Sequence, residues 1–434
     1  MEKNEILYKD LIEKLNQKDC IFEDVIFTKK SASFFSQAHS SLEIRLDKKK
    51  IKSLTFVNCI FEITVLFIEI NIDDFEFRDC VFEKNFHMSR SKIEDLFYFH
   101  NCIFNNEVNI LNCHFLFTDI IGNKFNNIFM LGSKDEHKDR RSTFSGYTNI
   151  SSVFNGFTSI SNCDFLEVDF ENSSFDNYIF EFNNCNVEKI ARFRKLNLTE
   201  KVIFNNINID NLSFLFSYFK FVSFTNCSVN VNNLIDKRLL EPNNPIYIFL
   251  KEEWDNDYVI SKYKNFNIQN LFDEYKQFEV CFDNQKNYEI AGEFHKQRFE
   301  LERTNSKKYW LKYSLLTLYK WSSDYGENYK KSLSWFLHAF VFFTVVYLFS
   351  GLNFTDHNGT VTIFYLKAVN QFNFWNDLGL STIYSLNNVI PFKKDLTYIT
   401  AANGWTTFFT ILESFILTIL ASLFVIGLRR KFKR

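Results

Sequence analysis

The stretch Phe56–Phe86 reads FVNCIFEITVLFIEINIDDFEFRDCVFEKNF, and the even return of Cys and Phe within it decides the fold. Cys59 and Cys80 each follow an Asn or Asp and each have a Phe two places later, at Phe61 and Phe82. The same frame returns along the chain as Asp19-Cys20-Ile-Phe22, Asn101-Cys102-Ile-Phe104, Asn112-Cys113-His-Phe115 and Asn162-Cys163-Asp-Phe165. It ends in Val rather than Phe at Asn184-Cys185-Asn-Val187 and Asn226-Cys227-Ser-Val229. Cys59, Cys80 and Cys102 are separated by steps of 21 and 22 residues, and Cys163 and Cys185 by 22. A fixed period of this length marks a repeat architecture. A catalytic cysteine has no reason to recur, so the pattern concerns architecture first.

Inside each period a large apolar residue returns about every five positions, as at Phe56, Phe61 and Leu66, and then Phe77 and Phe82. That interval fits neither a heptad nor simple strand alternation. About four such steps per period suit a square, right-handed β-helical coil, with one large side chain entering the axis from each side and a small one beside it. On these residues the chain resembles the pentapeptide-repeat family, whose five-residue unit has a central Phe or Leu with a small residue two places earlier. The resemblance covers roughly 19–234. It implies that the pairs Cys59/Phe61, Cys80/Phe82, Cys102/Phe104 and Cys163/Phe165 point inward, with Asn58 on the turn side. At about 4.8 Å per layer, roughly ten coils would give a rod of about 50 Å.

The cysteines then read as small buried hydrophobes. Close Cys/Cys or Cys/His pairs of zinc-binding spacing are missing from the sequence, so no metal and no cofactor is expected. Spacings that stack thiols along a coil also argue against disulfides. The run Lys134–Arg141 (KDEHKDRR) interrupts the repeat as a charged loop. With a formal net charge of −2 and a repeat only mildly acidic, the chain has no drive toward nucleic acid, and its outer face reads as solvated Asn, Ser and Thr. Only 11 Gly and 3 Pro accompany 55 Phe, which leaves little room for a glycine-rich phosphate cradle. No catalytic residue is assigned, and the chain is not expected to be an enzyme.

Residues 1–18 alternate charged and apolar positions at helical spacing and form a helical end to the rod, without the apolar run of a secretory signal. After Leu234 the period stops at the turn-rich 241–245. Residues 235–332 read as a helical connector, with Leu271, Tyr275, Phe278 and Phe282 on one face, followed by Ala291–Arg303 with a solvated charged face. Lys307–Trp321 (KKYWLKYSLLTLYKW) mixes aromatics with lysines in the manner of a helix lying in a membrane interface. The membrane domain, 333–434, has two segments of spanning length, 333–352 and 405–428. Lysines before the first and the Arg/Lys run after the second predict that both termini face the cytoplasm, in a multi-pass protein of the inner (plasma) membrane.

Between the spans, 377–392 is too short to cross yet has an apolar face at Leu378, Ile383, Leu386 and Val389, and reads as a re-entrant segment ending at Pro391. Together with Ser323-Asp-Tyr325-Gly326, Ile383-Tyr384-Ser385-Leu386 and Glu413, this layout resembles the two-helix, potassium-channel-like membrane domains that accompany pentapeptide repeats in bacteria. The resemblance implies a pore loop and four-fold homo-oligomeric assembly, with Asn387, Asn388, Val389 and Pro391 lining the pore. The segment departs from the family where a Thr-x-Gly-Tyr-Gly filter belongs. Asn387–Phe392 (NNVIPF) has no glycine to turn successive carbonyls inward, so potassium selectivity is not expected. Glu413 and His338 are the ionisable residues inside the spans, which makes them functional candidates. Glu413 could hydrogen-bond the re-entrant helix or reach water, and reads as a structural buttress ahead of a place on an ion path. The expectation is a membrane protein, in contact with lipid, that holds a cytosolic rod and a channel-like domain. The alternative is a membrane-anchored scaffold whose pore region has degenerated and whose rod binds a cytosolic protein.

Overall fold

A computed structural model describes residues 4–6, 8–15, 19–28, 41–45, 51–133, 141–176, 178–214, 217–231, 268–306, 309–355, 361–363, 374–389 and 399–433. The chain divides into two units, Met1–Gln285 and Lys286–Arg434. The charged insert 134–140, the turn-rich 241–245 and residues 390–392, with Pro391, lie outside the described residues.

In the first unit, nine strands stack in chain order from Ser41–Arg45 through Phe86–Ser89 and Thr158–Ser161 to Tyr218–Thr225. A second sheet holds Asp19–Glu23, Ile51–Val57, Asn71–Arg78, Lys92–His100, His114–Phe125 and Ser142–Phe154 among its fifteen strands. Neighbours in both stacks run parallel, and each period sends one strand to the nine-strand sheet and two, such as Asn71–Arg78 and Val81–Phe82, to the other. This is a parallel β-solenoid, and the nine-strand face is a little shorter than the ten coils the sequence implied.

The conserved shape of each copy of the frame has a backbone cause. Asn58, Asp79, Asn101, Asn112, Asn162, Asn184 and Asn226 all have φ between 49° and 56°. The left-handed region costs an ordinary residue about 1–2 kcal/mol, and Asn and Asp tolerate it best. The residue before each of these cysteines therefore turns the chain, and the cysteine and the Phe or Val two places on fall inside in every copy but the last, where Cys227 and Val229 are half-buried.

The inward residues form columns. Phe27, Phe61, Phe82, Phe104, Phe125, Phe154 and Phe175 stack face to face at centroid spacings of 4.5–5.1 Å with interplanar angles of 3–9°. Beside them Cys59, Cys80 and Cys102 are fully buried, each thiol lying 3.4–3.5 Å from a carbonyl of the preceding coil, those of Phe22, Phe56 and Phe77. Asn123, Ser152 and Ser173 continue this column by donating to the carbonyls of Phe99, Ile120 and Ile150. The position thus wants a small side chain that donates to a backbone carbonyl, which Cys, Ser and Asn all satisfy. Cys163 and Phe165, read in the same frame as Cys59 and Phe61, belong to a different column, in register with Ser142 and Phe144. Their local sequence frame is shared, but their position around the coil is not.

The N-terminal segment is not a single helix: Asn4–Glu5 pairs as a strand with Val25–Ile26, and the helix α1 spans only Tyr8–Leu15. At the other end, α2 (Ile268–Asn284) is a lid on the last coil rather than a free connector. Tyr275, Phe278 and Phe282 are buried, and Phe278 packs edge-on against Phe214 and Phe219. Its polar residues meet the open strand edge. Glu274 accepts from the Phe214 amide at 2.8 Å, Gln277 accepts from the Phe219 amide at 2.7 Å and donates to the Ser217 carbonyl, and Gln285, just past the helix, accepts from the Phe224 amide. Backbone groups that an additional coil would satisfy are satisfied by side chains instead.

The second unit is helical: α3 (Tyr288–Asn305), α4 (Trp310–Ser323), α5 (Tyr329–Ser350), α6 (Phe374–Val389) and α7 (Gly404–Lys433). Helices α5 and α7 are long and apolar enough to cross a membrane, with mean hydropathy 1.8 and 2.4 in their best windows. Leu352–Thr355 pairs antiparallel with Val361–Ile363 and with Ile399–Ala401, a small sheet the sequence did not announce.

Candidate functional site

The site lies where α5, α6 and α7 meet. Helix α6 starts three residues before the expected 377, and its packed face is Ser381, Tyr384, Ser385 and Asn388. Ile383 and Leu386, two residues of the apolar face read from the sequence, are exposed. The packed face is polar because it addresses Glu413, which is fully buried on α7. Glu413 accepts from the Tyr347 hydroxyl of α5 at 2.7 Å, from the Asn388 amide at 3.0 Å and from the Ser385 hydroxyl. Ser414 donates to the Asn388 carbonyl at 3.2 Å, and Tyr384 and Thr410 share a hydrogen bond at 2.9 Å. Tyr347 and Tyr384 meet edge to face at 4.9 Å. One carboxylate therefore ties the short helix to both long ones.

Of the residues singled out for this region, the fold brings together Glu413, Ser385 and Asn388. Asn387 is half-buried on the other side of the last turn, and Val389 is the last residue of α6. His338 is not part of the cluster. It is exposed on α5 and bonds back to the Ser334 carbonyl at 2.6 Å. Tyr347 and Thr410 are members that sequence reading missed. Tyr347 was hidden in the run FVFFTVVYLF, where one more aromatic residue draws no attention; its hydroxyl, one turn of helix from the polar Thr344, was the available signal.

A second constellation, the Ser323–Gly326 turn, joins α4 to α5. Asp324, Tyr325 and Gly326 are consecutive left-handed residues, with φ of 52°, 60° and 80°. A Cβ at Gly326 would come within 2.8 Å of the Tyr319 hydroxyl, so both conformation and space call for glycine. The turn is held from α3: Tyr325 donates to Glu300 at 2.7 Å, its ring stacks on Phe299 at 5.6 Å, and His295 lies 3.2 Å from its carbonyl. Burial alone would push the Glu300 carboxyl up, but hydrogen bonds from Arg303, Tyr325 and Lys320 hold it at about 2. Burial and the bond to Glu300 together push the Tyr325 hydroxyl well above the usual phenol range. Arg430, near the end of α7, pairs with Glu327, two residues before α5 begins. The four residues read from sequence as a family signature thus form the junction of α3, α4, α5 and α7.

In the solenoid Cys59 and Cys113 are chemically quiet. Cys59 is pushed far above the ordinary thiol range by its hydrogen bond with Cys80 and by burial, and burial lifts Cys113 to about 12. A thiol held protonated is neither a nucleophile nor a metal ligand. Among the described residues no cysteine forms a disulfide. The chain matches no family model, no curated protein and no solved structure.

Proposed function

We propose that this is an integral membrane protein in which a cytosolic repeat rod is attached to one subunit of an oligomeric, channel-like pore. The observation that carries the reading is the clasp of α6 between two membrane-capable helices through Glu413, Tyr347, Ser385 and Asn388. A short helix at membrane depth needs its polar groups covered by protein or by a water-filled cavity, and the clasp supplies that cover on one side. The open side carries Ile383, Leu386 and Asn387, and assembly of copies, four in the family it resembles, would enclose it. Asn387 and the residues up to Pro391 would then line the narrowest part, without potassium-type selectivity. Asn388 would act from behind, because its amide already serves Glu413. Both termini would be cytoplasmic and the membrane the plasma membrane, with homo-oligomeric contacts and lipid as the partners. The test is purified full-length protein in planar bilayers, with the subunit count taken by native mass spectrometry. Conductance across several salts and voltages is the expected result, and its absence under all of them would refute the pore.

A second reading, a membrane-anchored scaffold, is favoured by the missing filter glycines at 387–392. The rod would then bind a cytosolic protein, and the membrane helices would serve only as an anchor. A silent bilayer together with a specific partner retained by the full chain would select it.

A further inference from the structure

We infer that α4 lies along a lipid leaflet, its outward stripe seated among the acyl chains and the exposed cations around it, Lys330, Arg429 and Lys431, at anionic headgroups; this rests on the membrane reading above but not on conduction. Trp310, Leu311, Leu315, Leu318 and Trp321 are all exposed, Trp310 by 77% and Leu315 by 58%. At about 100° per residue they fall within an arc of about 140° on one side of the helix. This is the inverse of a helix in a water-soluble domain, which turns its apolar stripe inward.

The rotation of α4 is fixed by its other side. Arg303 donates to the Tyr313 hydroxyl at 3.1 Å, Lys320 pairs with Glu300 at 3.1 Å, Lys312 pairs with Glu302 at 2.8 Å, and Ser323 is buried. Rolling the leucines onto α3 would break these bonds, so the stripe stays turned away from α3. It is also continuous with the apolar surface of the first long helix. Trp321 meets Trp335 of α5 at 4.0 Å, and Leu333 and Leu337 next to it are exposed.

Charge chooses the occupant. Lys312, Lys330, Arg429 and Lys431 are exposed around this end of the unit, and Lys331 reaches the Lys320 carbonyl at 3.1 Å. A second copy would set like charges against one another, whereas an anionic leaflet attracts them and accepts the Trp and Leu side chains between its headgroups.

The experiment uses the full chain in nanodiscs of phosphatidylcholine and phosphatidylglycerol. A bimane label is placed on Leu315→Cys, Leu318→Cys or, as a control in the long helix, Val341→Cys. Brominated acyl chains should quench all three, and aqueous iodide should quench none. Iodide quenching at 315 and 318 with bromolipid quenching kept at 341 would overturn the leaflet assignment while leaving the membrane reading intact. Failure of bromolipid at 341 as well would remove both. Disulfide-linked dimers of Leu315→Cys would assign the stripe to a second copy and overturn the inference. Lys330→Glu, or discs of phosphatidylcholine alone, should reduce the quenching at 315, and unchanged quenching in both would overturn the headgroup part.

Discussion

The Phe column makes a quantitative demand on Phe82. Its side chain is fully buried, stacked on Phe61 at 4.5 Å and on Phe104 at 4.6 Å, with the edges of Phe77 and Phe86 each 5.4 Å away. Phe82→Ala removes a ring held on all sides by other rings, which relax poorly because each is also stacked along the column. A buried Phe→Ala change costs about 3–5 kcal/mol. The two stacked neighbours add about 0.5–1.5 kcal/mol each beyond area, which places this site toward the upper end. About 4 kcal/mol is roughly a thousandfold in an opening equilibrium. In a solenoid each coil leans only on its neighbours, so the loss should be local. Hydrogen exchange of the full chain should show it in peptides covering Asn71–Phe104, while protection around Phe180–Thr225 stays near its original level. Cys80→Ala deletes one sulfur and a weak donor to the Phe56 carbonyl, and should cost about 1 kcal/mol. Equal protection in wild type, Phe82→Ala and Cys80→Ala would refute the assigned register, and a loss spread evenly over the rod would refute nearest-neighbour stacking.

Glu413→Ala removes three hydrogen bonds within the membrane unit; at about 0.6 kcal/mol each the loss is about 2 kcal/mol, readable as an earlier midpoint in detergent-driven unfolding, with Glu413→Gln keeping part of it. Asp79 has φ of 53°, so Asp79→Val should lose about 1–2 kcal/mol and Asp79→Gly little, as thermal unfolding of the two variants will tell. Glu300 is held at about 2 against an ordinary 4.5; a lowered carboxyl contributes stability above its unfolded value and loses it as pH falls through the folded one. The near-ultraviolet dichroism of the Tyr325–Phe299 stack should therefore be constant above pH 4.5 and fade toward 2, and Glu300→Gln should remove that dependence. If 377–392 enters and leaves on the same side, a membrane-impermeant thiol reagent should label Lys394→Cys quickly and Asn387→Cys slowly, and equal rapid labelling would place the segment in an open loop.

The rod was legible because its information is one-dimensional. Asn58, Cys59 and Phe61 occupy the same backbone states as Asp79, Cys80 and Phe82, so a spacing in sequence is a spacing in space. What spacing cannot convey is the position around the coil, which is why Cys163 and Cys59 look alike yet fall in separate columns. The role of α2 was illegible for a related reason. Its buried Tyr275, Phe278 and Phe282 announce an amphipathic helix, but nothing in the pattern says that Glu274, Gln277 and Gln285 will meet backbone amides some sixty residues earlier. In the second unit, Glu413 stood out because an acid is costly in an apolar helix. Its partner Tyr347 did not stand out among the other aromatic residues of α5. The polar face of α6 was missed because the reading followed its apolar face at Leu378, Ile383, Leu386 and Val389, whereas the buried carboxylate draws Ser385 and Asn388 inward.

The lid formed by α2 also orders events in time. A parallel stack grows by adding strands to an open edge, and until something closes that edge it will accept a strand from any nascent chain nearby. Residue order puts Glu274, Gln277 and Gln285 behind the last coil and ahead of both long apolar helices. During synthesis the rod can therefore be sealed before the first of those helices leaves the ribosome, so that neighbouring chains emerging at the same membrane meet finished rods rather than exposed edges.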